Sequence, residues 1–131
     1  MPKSKSDKWM TPKELYDDLN TEFSFNFDPC PIDWKEGDAD GLSIDWGTCS
    51  FVNPPYSKVA HWIKKAHDEW EKGKTVVMLI NAITDTIAFH KYIYGKAELR
   101  FIKGRVTFID PANPDKKAPN VKPSMLVIFK H

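Results

Sequence analysis

Ser50-Phe51-Val52-Asn53-Pro54-Pro55-Tyr56-Ser57 is the stretch that decides how this chain folds. Its first three residues are small or apolar, which is typical of the end of a buried strand, and the two prolines exclude both strand and helix. A helical pattern begins directly after Ser57. Asn53 and Tyr56 are therefore expected in a stiff loop at the carboxyl end of a strand, where α/β sheets place their functional groups.

The two prolines also decide what this loop can present to a ligand. Each restricts the residue before it to an extended backbone, so Asn53 cannot relax into a helical turn. A planar amine could donate to Asn53 Oδ1 and to the Pro54 carbonyl while Tyr56 stacks on the ring that carries the amine. An enzyme that alkylates the exocyclic nitrogen of a base needs these groups.

The segments that follow the loop predict the fold class. Apolar residues recur at helical spacing from residue 59 to residue 70, with Gly73 as the predicted cap. Thr75–Asn81 is then a continuous β-branched apolar run, typical of a strand buried on both faces of a parallel sheet. Strand, helix and strand make one βαβ unit with a right-handed crossover, so we predict an α/β fold.

Two segments before the loop also carry polar groups. Thr11 and Pro12 predict the N-cap and first position of an amino-terminal helix, and Glu14 completes a capping box. Residues 23–30 alternate aromatic and polar side chains and predict a strand that ends at Asp28. Residues 31–48 are predicted as loop, with 42–46 as the one candidate strand. The acids in this loop lack the glutamate and flanking helices of a calcium-binding loop, and we predict no metal site.

The remainder of the chain predicts a second helix over 87–94, closed by Gly95, and three strands over 98–102, 104–109 and 124–129. Residues 110–123 join the last two strands and are rich in proline and lysine. Such a loop is a candidate for touching phosphates. An ordinary solvated hairpin loop is an equally open interpretation.

Length and composition limit the number of domains and the ways in which the chain can bind DNA. The chain has 131 residues, which suffice for one domain, and we predict a flexible basic tail over 1–8 followed by a single domain over 9–131. The formal net charge is +1, so any DNA binding must come from local clusters of basic residues. Two cysteines without a paired spacing, no apolar span and no secretion signal predict a cytoplasmic protein with reduced thiols.

Several motifs in one order resemble a known family. They are Trp9-x-Thr11-Pro12, Phe27-Asp28-Pro29, Trp46, Asn53-Pro54-Pro55-Tyr56-Ser57, Asp85-Thr86 and Gly104-Arg105-Val106-x-Phe108. This order is similar to that of the small phage and prophage adenine-N6 DNA methyltransferases of the Dam-type family, over residues 8–129. The tetrapeptide at 53–56 looks like the (Asn/Asp/Ser)-Pro-Pro-(Tyr/Phe/Trp) catalytic motif of amino-methylating DNA methyltransferases.

The resemblance implies an S-adenosylmethionine-dependent methyltransferase with a Rossmann-like fold, reduced in size. Its sheet would be mostly parallel and would end in a carboxyl-terminal antiparallel hairpin. No separate target-recognition domain is expected. DNA is the implied partner, the protein would be a monomer or homodimer, and the bacterial host cytoplasm is its implied location.

The resemblance also implies roles for individual residues. The catalytic group would be Asn53, Pro54, Pro55 and Tyr56. The cofactor-binding group would be Trp9, Thr11, Pro12, Asp28, Pro29, Asp45, Trp46 and Asn53, with Asp45 or Trp46 beside the adenosine. Together with the basic loop, the predicted DNA contacts are Ser57, Lys58, Arg105, Lys116, Lys117 and Lys122.

Two departures from the family pattern keep other functions open. Residues 28–31 replace the usual glycine-rich cofactor loop, and no acid is an evident partner for the cofactor ribose. The chain could therefore be a catalytically degenerate module that binds a cofactor or nucleic acid. It could also methylate cytosine N4 or a protein amide, since enzymes for both use related Pro-Pro-Tyr motifs.

Overall fold

The computed structural model describes residues 10–110 and 112–131, except for the side chains of residues 114, 117 and 118. Its helices are α1 (Lys13–Phe23) and α2 (Val59–Glu71), with a 3-10 turn at Tyr56–Lys58 and a π-helical turn at Phe89–Ile93. Its strands are β1 (Cys49–Val52), β2 (Thr75–Asn81), β3 (Glu98–Phe101), β4 (Thr107–Asp110), β5 (Asn113–Pro119) and β6 (Ser124–Phe129). Within these residues, every helix is too short or too polar to cross a membrane.

Four strands form the main sheet in the order β1-β2-β6-β3. β1 pairs with β2 in parallel, while β6 is antiparallel to both β2 and β3. β1, β2 and β3 therefore run in one direction and β6 runs against them. The predicted α/β class is confirmed, but the sheet is mixed rather than mostly parallel, because two of its three ladders are antiparallel.

The predicted pairing of the last two strands is wrong. β4 pairs instead with β5 in a separate two-stranded sheet, and β5 lies inside the segment that was expected to be a loop. β6 is buried at every position. A strand without a polar face needs cover on both sides, and the centre of the main sheet provides it.

Both faces of the main sheet are packed. Along β2, Val76, Met78 and Ile80 join the core formed with α2 and the π-helical turn. Val77 and Leu79 join the opposite core, to which α1 and β4 contribute. The alternation follows the two-residue period of a strand, and it confirms that Thr75–Asn81 is buried on both faces.

The aromatic alternation before Asp28 does not form the predicted strand. α1 extends to Phe23, and Ser24 then adopts a left-handed conformation with φ 55°. Of the described residues in this segment, Phe27 alone pairs with the sheet, through a parallel bridge to Ser50. Phe23 and Phe25 stack with ring centroids 5.9 Å apart, so ring packing replaces an extended ladder.

Residues 42–46, all within the described range, form a turn, a bend and irregular backbone rather than a strand. Asp40 Oδ1 accepts a hydrogen bond from the Leu42 N–H at 3.0 Å, which favours a turn over extended backbone. Trp46 is buried and stacks on Trp62, with ring centroids 6.2 Å apart.

Of the three predictions about helix ends, one is wrong and two are confirmed. α1 begins at Lys13 with Pro12 in the cap position and no side-chain cap, so the predicted capping box at Thr11 is wrong. Gly73 and Gly95 both have positive φ, 97° and 77°, directly after the segments that they were expected to close. The second predicted helix is present in a short form whose residues 89–93 follow a π-helical path.

Candidate active site

The candidate site lies where β1 ends. Asn53 follows β1 directly, and the bridge between Phe27 and Ser50 carries Asp28 toward the same edge, because the two segments run in parallel. Thr11, which precedes α1 in the chain, also lies at this edge. Its hydroxyl accepts a hydrogen bond from Asn53 Nδ2 at 3.0 Å.

These three residues line one cavity of about 220 Å³, here named the amide cavity. Its other lining residues are mostly apolar or aromatic: Met10, Tyr16, Cys30, Ile32 and Phe51. Asn53 is half-buried. The structure thus brings together the predicted residues Thr11, Asp28 and Asn53, which lie up to 42 positions apart in the chain.

Asp28 is the charged member of the amide cavity. Its Oδ1 accepts a hydrogen bond from the Cys30 N–H at 2.9 Å, which closes a tight turn. Burial raises the pKa of Tyr16, and the negative charges of Asp28 and Asp17 raise it further. Tyr16 therefore stays neutral at physiological pH and adds no second negative charge to the cavity.

A second cavity of about 220 Å³ lies next to the first, and Cys30 lines both. We name it the tryptophan cavity. Its lining combines aromatic and apolar walls with a few polar groups: Pro29, Cys30, Trp34, Asp40, Gly41, Leu42, Pro55, Ser57, Lys58 and Trp62. The predicted residues Pro29, Pro55, Ser57 and Lys58 meet here.

Gly41 shapes the tryptophan cavity. A Cβ at this position would lie 2.0 Å from the Pro29 carbonyl oxygen and 2.8 Å from the Trp62 ring. Only a residue without a side chain allows the loop to approach Pro29 this closely. Asp40 is thereby held at the cavity, where its Oδ1 also accepts from the Leu42 N–H.

The two prolines and Tyr56 form the corner between β1 and α2. Pro54 is buried and Pro55 half-buried, while Tyr56 is 38% exposed at the start of the 3-10 turn. Partial burial raises the pKa of Tyr56, so its hydroxyl stays protonated near neutral pH. The corner therefore presents a neutral aromatic ring to solvent within three residues of the Asn53 amide.

The β4–β5 hairpin adjoins the amide cavity through Met10. The Met10 N–H donates to the Ile109 carbonyl at 2.8 Å, and the Ile109 N–H donates back at 3.2 Å. Lys116 is exposed on β5 and Arg105 is exposed just before β4. Basic side chains thus lie on, or just before, the hairpin that is hydrogen-bonded to the residue beside Thr11.

A tight turn over residues 120–123 presents Lys122 at the carboxyl end of β2. Asn120 is buried, and its Nδ2 donates to Asn81 Oδ1 at 2.7 Å and to Ser124 Oγ at 3.1 Å. Its Oδ1 accepts from the Lys122 N–H at 3.2 Å. Asn81 is the last residue of β2, and β1 runs parallel to β2, so this turn and the exposed Lys122 lie at the edge of the sheet where β1 also ends.

Several predicted site residues lie elsewhere. Asp45 is exposed and paired with Lys72 at 2.8 Å, and the hydrogen bond from Lys72, together with its charge, lowers the pKa of Asp45. Trp46 is a core residue, and neither residue lines the two cavities. Pro12 occupies the cap of α1. Trp9 lies outside the described residues, as does the side chain of Lys117.

The structure adds residues that the sequence did not single out. Asp40, Trp34 and Trp62 line the tryptophan cavity, and Cys30 lies between the two cavities. In the sequence, Asp40 is one of the acids of the 31–48 loop that do not match a calcium-binding loop. The signal available was the pair Asp40-Gly41, since a glycine inside an acidic loop indicates close backbone approach.

Comparison with known proteins identifies the family of the chain. A family model described as DNA N-6-adenine-methyltransferase (Dam) matches residues 1–131, the whole length of this sequence. The chain belongs to this family. A search of curated proteins finds no match. The predicted family is therefore confirmed, and the activity that describes the Dam family is methyl transfer to adenine N6 in DNA.

Family membership gives the site a chemical context without assigning its residues. The Dam-family chain brings Asn53, Thr11 and Asp28 to one cavity and Pro55 and Asp40 to its neighbour. A methyltransferase must hold a methyl donor and an acceptor amine side by side. The two cavities adjoin at Cys30, and the loop after β1 supplies Asn53 to one and Pro55 to the other.

Proposed function

We propose that this protein transfers a methyl group from S-adenosylmethionine to the N6 amine of an adenine in DNA. The observation that carries the proposal is the placement of the Asn53 amide in the wall of the amide cavity, three residues from the exposed ring of Tyr56. In a chain of the Dam family, an amide acceptor beside a stacking ring fits a planar aromatic amine.

The residues of the two cavities fit the cofactor. Each cavity measures about 220 Å³ and they adjoin at Cys30, so together they fall within the ~300–1,000 Å³ typical of small-molecule sites. Asp28 would hold the methionine end, and Asp40, Pro55 and the tryptophan walls would hold the adenosine. When bound, S-adenosylmethionine supplies an electrophilic methyl group on a sulfonium centre.

Adenine N6 is a weak nucleophile because its lone pair is delocalised into the ring. Asn53 Oδ1 and the Pro54 carbonyl would accept its two hydrogens and favour a pyramidal nitrogen. These acceptors sit on a backbone that two prolines hold rigid, so little reorganisation is needed as positive charge develops on the amine. The protein's contribution is positioning and electrostatics, without a covalent enzyme intermediate.

The target amine lies inside the double helix, so the adenine must leave the base stack at a cost of a few kcal/mol. The exposed ring of Tyr56 would stack on the extruded base and offset part of this cost. Lys122, Lys116 and Arg105 would contact phosphates, since all three are exposed on elements that adjoin the site. Sequence preference would come from the β4–β5 hairpin and the 120–123 turn.

The first experiment incubates the purified protein with radiolabelled S-adenosylmethionine and DNA of mixed sequence, followed by nucleoside analysis. Label in N6-methyladenine is the expected result. Label in N4-methylcytosine or in protein would reject adenine as the acceptor while retaining methyl transfer. Each substrate is tested as duplex and as single strand, because extrusion is needed only from the duplex.

One structural observation favours a second candidate, a catalytically degenerate module that binds the cofactor or nucleic acid. Asp28 already accepts from the Cys30 N–H, and residues 28–31 contain no glycine that would let the backbone approach a ligand closely. Calorimetric binding of S-adenosylmethionine, together with no labelled product on any DNA, would support this candidate and reject the enzyme.

A further inference from the structure

We propose that Thr11 is a positioning residue for methyl transfer, whose hydroxyl fixes the orientation of the Asn53 amide. The inference rests on the proposed function and deepens it. The contact that carries it is the hydrogen bond from Asn53 Nδ2 to Thr11 Oγ1, at 3.0 Å across 42 positions of the chain. The role differs from the cofactor contact that the family resemblance implies for Thr11.

An asparagine amide has two chemically different ends. Its oxygen accepts hydrogen bonds and its nitrogen donates two, and rotation by half a turn exchanges them. The terminal torsion of asparagine is broad, so the side chain itself provides little resistance to this rotation. Only the oxygen can accept a hydrogen from a target amine; in the reversed orientation, two donors would face each other. Engaging Nδ2 at Thr11 directs Oδ1 away from Thr11.

Thr11 is well placed for this task because its backbone is tied on both sides. Met10, before it, exchanges two hydrogen bonds with Ile109 at 2.8 and 3.2 Å. Pro12, after it, has a ring-restricted φ of −56°, and its carbonyl accepts from the Tyr16 N–H at 3.0 Å. The hydroxyl is therefore presented from a strap fixed between β4 and α1.

The molecule contains a matched pair of the same chemistry at the other end of β1. Asn26 Nδ2 donates to Thr48 Oγ1 at 2.6 Å, and Asn26 Oδ1 accepts from the Cys49 N–H at 3.1 Å. Thr48 precedes β1, whereas Asn53 follows it. Removing the Thr48 hydroxyl deletes an equivalent bond at a distance from the site, which makes Thr48→Val the control for Thr11→Val.

The kinetic experiment compares Thr11→Val, Thr11→Ser and Thr48→Val with the wild type in single-turnover and steady-state methyl transfer. Valine keeps the shape of threonine and removes the acceptor, while serine keeps the acceptor. We expect kcat of Thr11→Val to fall about tenfold to a hundredfold, the usual effect of misplacing a reacting group. KM for DNA and the calorimetric Kd for S-adenosylmethionine stay within about twofold of wild type. Thr11→Ser recovers most of kcat, and Thr48→Val keeps it.

A second measurement does not depend on catalysis. The side-chain amide signals of Asn53 are assigned by their loss in Asn53→Asp, and their exchange with solvent is measured by nuclear magnetic resonance. We expect exchange in wild type and Thr11→Ser to be slower than in Thr11→Val by about tenfold, because the bonded N–H must open before it exchanges. Thr48→Val should leave these signals unchanged.

The outcomes separate this inference from the proposed function. Unchanged kcat in Thr11→Val, or a loss that appears wholly in the Kd for S-adenosylmethionine, overturns the positioning role while methyl transfer stands. If the wild type methylates no DNA, the proposed function fails, and amide exchange alone decides whether Thr11 holds Asn53. Exchange that is equally fast in wild type and Thr11→Val overturns the inference in either case.

Discussion

The two edges of the parallel pair β1–β2 use polar groups in opposite ways. Beyond the amino edge, Glu69 is fully buried, and its carboxylate accepts from Lys65, Lys72 and Lys74 at 2.6–3.0 Å and from the Trp46 N–H at 2.9 Å. At the carboxyl edge, Asn53 is half-buried in the wall of the amide cavity.

The asparagine pairs repeat this contrast on a smaller scale. At the amino edge, Asn26 uses both ends of its amide within the protein, on Thr48 and Cys49. At the carboxyl edge, Asn53 gives its nitrogen to Thr11 and lines the amide cavity. The difference is one of position: Asn26 lies at the exposed start of β1, whereas Asn53 lines a cavity, so a ligand in that cavity would lie against the Asn53 amide.

Asn53→Ala is the substitution with the largest expected effect at the carboxyl edge. We expect methyl transfer to fall about 1,000-fold or more, comparable to losing a main electrostatic contact of a transition state. The melting temperature should move little, because the Asn53 side chain is only half-buried. Turnover is measured with labelled cofactor, and the fold by circular dichroism. Normal turnover in this variant would remove Asn53 from the mechanism.

Glu69→Gln should have the opposite effect. We expect it to lower the free energy of unfolding by about 3 kcal/mol, because it removes one partner from a buried ion-pair network. Methyl transfer per folded molecule should stay unchanged. Urea titration measures the loss, and Glu71→Gln is the matched control, since Glu71 is exposed on the same helix. Equal stability of the two variants would show that the Glu69 network contributes nothing.

The same network predicts the sign of the pH dependence. Burial alone would raise the pKa of Glu69, but hydrogen bonds from Lys72, Lys74, Trp46 and Lys65 outweigh it and hold the pKa far below its ordinary range. The stabilisation is therefore complete above about pH 4.5, the ordinary pKa of this carboxyl, and is lost as the pH falls below it. Glu69→Gln should flatten the fall in stability between pH 5 and 3, measured by urea titration at each pH.

Tyr56→Ala tests the role of the aromatic ring at the carboxyl edge. We expect catalytic efficiency on duplex DNA to fall by ~2 kcal/mol, or about thirtyfold, since base stacking on an aromatic side chain contributes ~1–3 kcal/mol. Tyr56→Phe should retain most activity because it keeps the ring. The fluorescence of 2-aminopurine at the target position reports extrusion of the base. Loss of activity in both variants would point to the hydroxyl instead of the ring.

Thr48→Val is the smallest expected effect. It should cost about 1 kcal/mol of stability, the net value of one hydrogen bond, with no change in methyl transfer. A measurable loss of kcat would show that contacts at the amino edge affect the site. It would contradict the separate roles of the two edges.

The sequence predicted the centre of the site better than its surroundings. The double proline and the apolar run of β2 are local signals, and both placed Asn53 at the end of a strand as the structure has it. The contact between Thr11 and Asn53 is not local, and the capping motif around Thr11 favoured a helix start instead. A hydroxyl that can cap a helix can also accept from a distant amide, and only the tertiary fold decides between them.

The wrong predictions of strand pairing have a similar cause. The order of the strands depends on which apolar strand is covered on both faces. An apolar pattern indicates that a strand is buried, but it does not indicate which strands lie beside it. The tryptophan cavity was missed because Gly41 matters through its approach to Pro29, twelve positions away. An acidic loop with glycines has many possible shapes, and this close approach selects one of them.

The place of β6 in the sheet has a consequence for synthesis of the protein. β2 and β3 share no ladder with each other, and β6 lies between them. Until residues 124–129 have left the ribosome, β2 has an unpaired edge on its β6 side, and β3 lacks the one strand that it pairs with among the described residues. Truncation within β6 should therefore yield aggregation rather than a smaller folded domain, and a nascent chain stalled before residue 124 should be a good substrate for chaperones.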